Sequence, residues 1–292
     1  MSQQVIRTVA RTPLVHVSGA HCASHRHSWG VTEYSSATQL VLVRRGVFAL
    51  QFGRRNFLAD ANHAVLFNRG DEYRVSHPTS HGDDCTILVP SMDLMEEAAP
   101  ADNRCVFVPT SALRLQAQLR ASVARPGTEP LEFEECALAL MQRVLNLRLG
   151  LVPRHARSSH GRARRSRWVR NARELLAADP GFNWSLQEVA RHVGCAPCHL
   201  TTVFRLETGM PMHRYLRRLR LALAVTELAQ RNKTITEIAL ALGFATPSHF
   251  STCFSAEFGC SPRRAAGRFV QRVRLPDSLV AATFRCCPTR GK

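Results

Sequence analysis

Lysine is nearly missing from this chain of 292 residues: among 39 basic side chains only Lys233 and Lys292 are not arginine. No stretch of about 18 uncharged apolar residues occurs, which excludes a membrane-spanning helix. The segment Met1 to Arg11 lacks the apolar core of a secretion signal, so a cytoplasmic location is expected. Acidic residues are scarce in the second half only. Residues 1–150 hold 15 basic and 14 acidic side chains (net +1), whereas residues 151–292 hold 24 and 8 (net +16), which together give the +17 of the whole chain. A near-neutral half joined to a strongly basic half points to a polyanion partner for the second. With 45% apolar and 21% charged residues, the composition excludes disorder and fibrous repeats.

Ten cysteines are spread without a disulfide framework, at 22, 85, 105, 136, 195, 198, 253, 260, 286 and 287. Reduced thiols are the expected state. Cys195 and Cys198 make one C-x-x-C with His199 beside it, but no second ligand pair stands at zinc spacing. No metal, cofactor or catalytic constellation is assigned, and the chain is not read as an enzyme.

Residues 1 to about 108 read as short strands with frequent turns. Leu40-Val41-Leu42-Val43 is a β-rich run expected to close at an Arg44-Arg45-Gly46 turn. Val47 to Phe52 and Phe57-Leu58 flank a hairpin turn at Gly53 to Asn56. Ala64 to Phe67, Tyr73 to Val75 and Thr86 to Val89 follow, in the manner of a small barrel or sandwich. The period then changes. Ala112, Leu115, Leu119 and Val123 line one face of a helix over 111–124, and Leu138, Met141, Val144 and Leu145 one face of another over 130–149. Two such helices would cover a barrel face or join two copies into a homodimer. Residues 151–167, arginine-rich with almost no apolar side chains, read as a flexible linker that also has access to phosphates.

From Trp168 onward the chain is helical and repeats itself. Leu186 to Gly194 matches Ile235 to Gly243 at an offset of 49, and Pro197 to Phe204 matches Pro247 to Phe254 at an offset of 50. Each copy is a helix, a turn opening on glycine and a second helix starting at proline. Ser185 with Glu188 has capping-box spacing, and Thr246 is a good N-cap. Val189, Val193, Leu200 and Phe204 supply one small core, matched by Ile238, Leu242, Phe250 and Phe254. These are helix-turn-helix units, over 185–206 and 236–258, whose second helices enter major grooves. The helix between them, Pro211 to Gln230, spans roughly 30 Å, close to the roughly 34 Å between successive major grooves on one face of B-DNA.

Residues 168–268 resemble the DNA-binding domain of the AraC/XylS family of bacterial transcription regulators. The resemblance is carried by Ser185 to Gly194, Pro197 to Gly209, Tyr215 to Leu221 and Ile235 to Pro262. It implies an all-α domain with two helix-turn-helix units joined by a long helix, binding double-stranded promoter DNA and acting on RNA polymerase. Departures occur at Ala196, where a Ser or Thr cap is usual, at Thr202 and Thr252, where arginine is common, and at Ala265-Ala266, where a Tyr-Arg pair is common. Residues expected to face DNA are Cys198, Thr201, Thr202, Arg205, Ser248, His249, Ser251 and Thr252, with Arg263 and Arg264 beyond. Most are short, suited to thymine methyls or single hydrogen bonds, with arginine–phosphate contacts supplying much of the affinity.

The family's variable half is often a cupin-like β-barrel holding an effector. Gly19, His25, His27 and Glu33 approximate the first cupin motif, while Tyr73 takes the place of the second motif's histidine. The expected architecture is therefore α+β with two domains: a cupin-like sensing or dimerisation domain over 1–150, the linker over 151–167, the DNA-binding domain over 168–268 and a basic tail over 269–292. His25, His27, Tyr73 and His77 are candidate contacts for an unknown small effector. The expected function is a DNA-binding regulator, an activator in type. The alternatives are a cupin-type metal enzyme, or a thiol or metal sensor using Cys22, Cys85 or Cys286-Cys287, fused to a DNA-binding domain.

Overall fold

A computed structural model describes residues 4–23, 28–79, 82–91, 104–124, 130–148, 159–230 and 232–268. A β-rich N-terminal region precedes a helical C-terminal region. The strands are β1 (Gln4–Arg11), β2 (Val15–Cys22), β3 (Glu33–Tyr34), β4 (Gln39–Phe52), β5 (Arg55–Asp60), β6 (His63–Phe67), β7 (Glu72–Ser76), β8 (Asp83–Pro90) and β9 (Cys105–Phe107). Helices α1 (Thr110–Ala124) and α2 (Pro130–Arg148) follow. Then come α3 (Ser159–Ala178), α4 (Leu186–Val193), α5 (Pro197–Thr208), α6 (Met212–Gln230), α7 (Ile235–Ala241), α8 (Pro247–Phe258) and α9 (Pro262–Arg268). Among the described residues no helix is long and apolar enough to cross a membrane.

The spine of the β region is β4. Its first half pairs antiparallel with β6 on one side and β8 on the other, and its second half pairs with β5 and β7. The expected turn at Arg44-Arg45-Gly46 is instead a bulge inside this continuous strand, between Val43 and Arg45. A bulge bends a strand and sharpens its twist, which lets one strand serve both groups of partners. Gly46 is required there: its φ is +75°, and a Cβ would stand 2.0 Å from the carbonyl oxygen of Gly82. The hairpin expected at Gly53 is present, with Phe52 paired to Arg55.

Strand alternation splits the apolar residues between two cores. Val41 and Val43 of β4, Val65 and Phe67 of β6, and Cys85 of β8 point into the interior. Leu40, Leu42, Ala64, Leu66 and Leu88 point outward, under α1 and α2. The outer core does not end at α2. It runs on through Leu221, Ile238, Phe250 and Phe254 of the helical region. A further core joins Val47, Leu58 and Ala61 of the β region to Val169, Leu176, Val189, Phe204 and Tyr215.

Two expectations are corrected by this packing. Part of the segment read as a linker is helical: α3 begins at Ser159 and runs through residue 167 into the buried Trp168 and Val169. The two regions are packed together, because α3 and α6 carry apolar side chains on the faces turned to β4 and β5. The helix over α1 also meets α8 within the same chain, where the Thr110 hydroxyl donates to Glu257 Oε1 at 2.7 Å and Leu113 shares a core with Phe258.

Candidate nucleic-acid interface

Local chemistry sets each helix end. The Ser185 hydroxyl accepts from Glu188 N at 3.2 Å while Ser185 N donates to the Glu188 carboxylate at 2.8 Å, closing the expected capping box on α4. The α7 start carries a second such box, Thr234 with Glu237, at 3.2 and 2.6 Å. The T-x-x-E spacing at 234–237 was the available signal for it. Thr246 caps α8 by accepting from His249 N at 3.0 Å, whereas Ala196 offers α5 no side-chain cap. Gly194 ends α4 in the left-handed region at φ +69°. The eight residues assigned to the paired small cores are all buried.

The geometry leaves α5 and α8 with outward faces. Cys198, Thr201, Thr202 and Arg205 are exposed on α5, as are Ser248, His249 and Thr252 on α8; Ser251 is half-buried. Arg263 and Arg264 are exposed on α9. The hydroxyls of Thr201 and Thr202 donate to the Cys198 carbonyl at 2.8 and 3.1 Å. The His249 ring packs edge-on against Phe244 at 5.7 Å, so it is an exposed but anchored aromatic. A cleft of about 990 Å³ lies between the two units, and it brings together Thr201, Thr202, Arg205 and His249 with His213 and Arg217. Cys198, Ser248, Ser251, Thr252, Arg263 and Arg264 lie outside that cleft.

The two units are held in fixed relation by α6, which at 19 residues is about 28 Å long. Arg220 on this helix donates to Pro180 O at 2.7 Å, Phe182 O at 2.9 Å and Gly243 O at 2.6 Å. It thereby ties the entrance of the first unit to the turn of the second. Nothing in helix periodicity marks such a long-range carbonyl cluster.

The opposite face of α3 and α6 meets the β region through a buried polar network. Asp60, fully buried, accepts from Arg173 at 3.3 Å and lies 2.8 Å from His63 Nδ1. The Tyr215 hydroxyl donates to the same carboxylate and accepts from Arg173 Nε at 2.8 Å. Burial opposes the charge on Asp60, but His63 and Arg173 prevail and hold its carboxyl far below its ordinary value of 3.8. Burial, then the Arg173 charge, lowers His63 from its ordinary 6.5 against the opposing pull of Asp60. Arg218, also buried, donates to Val108 O at 2.7 Å and sits over the Phe107 ring at 4.5 Å. Beside the network, a second cleft of about 920 Å³ separates Trp29, Phe57 and Pro78 from Arg164, Arg167 and Arg170 of α3.

His25 and His27 lie outside the described residues. Tyr73 packs into the interior against Phe67 at 4.8 Å. His77 is buried between Cys22, whose Sγ is 3.3 Å from Nε2, and Asp83, whose Oδ1 is 2.8 Å from Nδ1. Burial works against a charge on His77, yet its contacts with Asp83 and Cys22 raise it to about 9.

Comparison with known proteins matches residues 189–268 to the helix-turn-helix domain family. The transcriptional activator AarP of Providencia stuartii is 40% identical over 78 residues, which are 27% of this chain and 58% of AarP. Residues 189–268 are thus similar to the helix-turn-helix domains of HTH-type transcriptional activators. The activator RhaS of Escherichia fergusonii is 50% identical over 56 residues, 19% of this chain and 20% of RhaS. Among solved structures, a regulator from Chromobacterium violaceum with an AraC-type DNA-binding domain is 29% identical, over 37% of this chain and 97% of its own, at a TM-score of 0.35. The chain thus spans between a fifth and about three fifths of these two activators' lengths. The matched span includes all of α5 to α9 and residues 189–193 of α4.

Proposed function

We propose that this chain is a sequence-specific DNA-binding transcription regulator of the AraC/XylS type, an activator acting on RNA polymerase at promoters. The observation that carries the reading is the pair of separately capped helix-turn-helix units fixed on one α6 spacer. Their outward helices lie in the half of the chain that carries the net charge of +16. A spacer of about 28 Å suits two major grooves one turn apart. In this reading Thr201, Thr202, Ser251 and Thr252 contact base edges, Cys198, Ser248 and His249 line the same faces, and Arg205, Arg263 and Arg264 hold phosphates.

The β region serves as the control domain over 1–150, cupin-like in type, and the DNA-reading domain extends over 168–268. A small effector would act where the two regions meet, since the α3 arginines and the β-region aromatics share one cleft there. Homodimerisation through the exposed side of α2, where Leu131, Gln142 and Arg143 face outward, leaves the outward helices of both copies free.

Selection of bound sites from a random duplex pool by the full chain tests the reading. Two conserved half-sites one helical turn apart are expected. Inserting about five base pairs between them should abolish binding, because it turns the half-sites to opposite faces of the duplex. Binding that survives the insertion unchanged would reject a two-unit clamp, and a pool without enrichment would reject sequence-specific binding.

A further inference from the structure

Three buried side chains with three different donor atoms meet at one end of the β region, far from the helix-turn-helix units in sequence. Cys22 closes β2 and Asp83 opens β8, and the antiparallel register pairs the two directly. His77 follows β7. Their relative exposures are 4%, 7% and 9%, so water does not freely compete for them. One donor atom from each lies within 4.8 Å of the other two.

The contacts are tight without being fully satisfied. His77 Nδ1 and Asp83 Oδ1 approach to 2.8 Å, yet neither atom has a partner in hydrogen-bond alignment. A buried imidazole and carboxylate at this distance either pair with each other or share a positive centre. One imidazole turns only one ring nitrogen to an ion; the Sγ to Nε2 separation of 3.3 Å fits that role, and the Asp83 carboxylate would swing from Nδ1 to join it. Ligands at about 2.3 Å (sulfur) and 2.05 Å (nitrogen) from one ion would then subtend roughly 100°, near tetrahedral. Thiolate, imidazole and carboxylate together form a mixed soft and borderline set. Magnesium and calcium, which take oxygen ligands, do not suit it.

We propose that Cys22, His77 and Asp83 hold a single divalent transition-metal ion of the zinc class, with one coordination position left open. Backbone packing pre-forms the site. Gly82, at φ +65°, lies so close to Cys22 that a Cβ would stand 1.9 Å from its carbonyl oxygen, which locks β2 against the β8 entrance. The site also reaches the interdomain cleft. Ser76 and Pro78, the neighbours of His77 on either side, both line the cleft across from the α3 arginines. Pulling His77 onto an ion therefore shifts the wall of that cleft; this consequence, unlike the site itself, rests on the regulatory reading above.

Cobalt(II) titration of the reduced, chelator-treated full chain tests the site without any DNA. One equivalent should bind, giving a thiolate-to-cobalt charge-transfer band and tetrahedral ligand-field bands, both displaced by zinc. Cys22→Ser should remove the charge-transfer band. His77→Gln and Asp83→Asn should each weaken binding by about 10- to 100-fold or more, and these two variants serve if the serine variant does not fold. Cys85→Ser should retain the band. No charge-transfer band in the wild type, or an equal band in Cys22→Ser, overturns the site. A band lost in Cys85→Ser but kept in Cys22→Ser overturns the ligand assignment. Operator affinity measured with and without zinc then tests the coupling alone: a change of several-fold supports it, and identical affinities remove the coupling while leaving the metal site standing.

Discussion

Replacing Asp60 with alanine strands two buried partners at once. The Arg173 guanidinium loses its carboxylate at 3.3 Å, and the Tyr215 hydroxyl loses its acceptor. Removing one member of a buried ion pair costs about 3–5 kcal/mol, because the remaining charge is left uncompensated. Tyr215→Phe keeps the ring against Phe204, 5.3 Å away, and deletes only hydrogen bonds to charged groups, so about 2 kcal/mol is expected. Since a domain's stability is typically about 5–15 kcal/mol, the alanine change removes a large share. It acts on the packing of the two regions before it acts on either interior. Denaturant unfolding of the full chain, followed by tryptophan fluorescence, reads this directly, because Trp29 lines the interdomain cleft and Trp168 lies on α3. Asp60→Ala should split the transition or lower its midpoint. Combined with Arg173→Met, it should cost less than the sum of the two single changes by about 1 kcal/mol or more. Losses below about 1 kcal/mol for Asp60→Ala, with strict additivity, would refute the network's role.

The same network fixes a pH dependence. The Asp60 carboxyl is held below its ordinary 3.8, so its contribution is complete above that value and fades as pH falls through the lower folded-state value. His63 is depressed from 6.5, so keeping it neutral adds stability above 6.5 that is lost as pH falls below it. In both cases the unfolded chain binds more protons in the window, and stability rises with pH. Acid unfolding of the wild type should therefore begin below about pH 6.5 and steepen below about pH 4. Asp60→Asn should flatten the lower limb.

Gly243→Ala should lower stability by about 1–3 kcal/mol, the order of one strained backbone position, because φ is +72° and the new Cβ would stand 2.3 Å from Gly181 O; thermal melting reads it. Ala196→Ser should add about 1 kcal/mol by supplying the cap that α5 lacks, and Thr246→Ala should remove a similar amount at α8; a serine variant no more stable than wild type counts against the asymmetry. Thr202→Ala or Thr252→Ala should weaken operator binding by about 1–3 kcal/mol while leaving random-sequence binding unchanged, measured by competition titration. Equal losses on both DNAs would place those side chains on phosphates.

The paired helix-turn-helix units were legible because each is a local object. Capping, a turn glycine and an apolar pair recur within about twenty residues, so the repeat exposes them. The β region was only half legible. Val41, Val43, Leu40 and Leu42 read as one apolar run because β4 is buried on both faces, which erases the alternation that would have assigned them to separate cores. The bend at Gly46 therefore read as a turn between strands. The interdomain network left no pattern at all. Asp60 and Tyr215 are 155 positions apart, and a single buried aspartate has no period. Cys22 and His77 stand in the sequence as an isolated thiol and imidazole, and only the β2–β8 register brings Asp83 to them.

Those missed contacts change what the arginine count means. The +16 of the second half suggested a solvated polyanion-binding surface, yet Arg173, Arg218 and Arg220 are each committed to carboxylates or carbonyls inside the fold. Charge available to phosphates is correspondingly smaller, and it sits at exposed positions such as Arg205, Arg214, Arg263 and Arg264. The committed arginines act instead on geometry. Arg220 fixes one helix-turn-helix unit relative to the other, while Tyr215 and Arg218 on the same α6 fix that helix against the β region. One helix therefore fixes both the spacing of the two helix-turn-helix units and their docking on the β region. Any event that moves the β4–β5 surface by an ångström works on the spacer rather than on the outward helices. Because groove spacing on duplex DNA is fixed, a small rotation of α6 alters how many phosphates both units reach together. On the function proposed above, control by the N-terminal region should accordingly appear as a change in affinity for paired half-sites, with binding to a single half-site left unaltered.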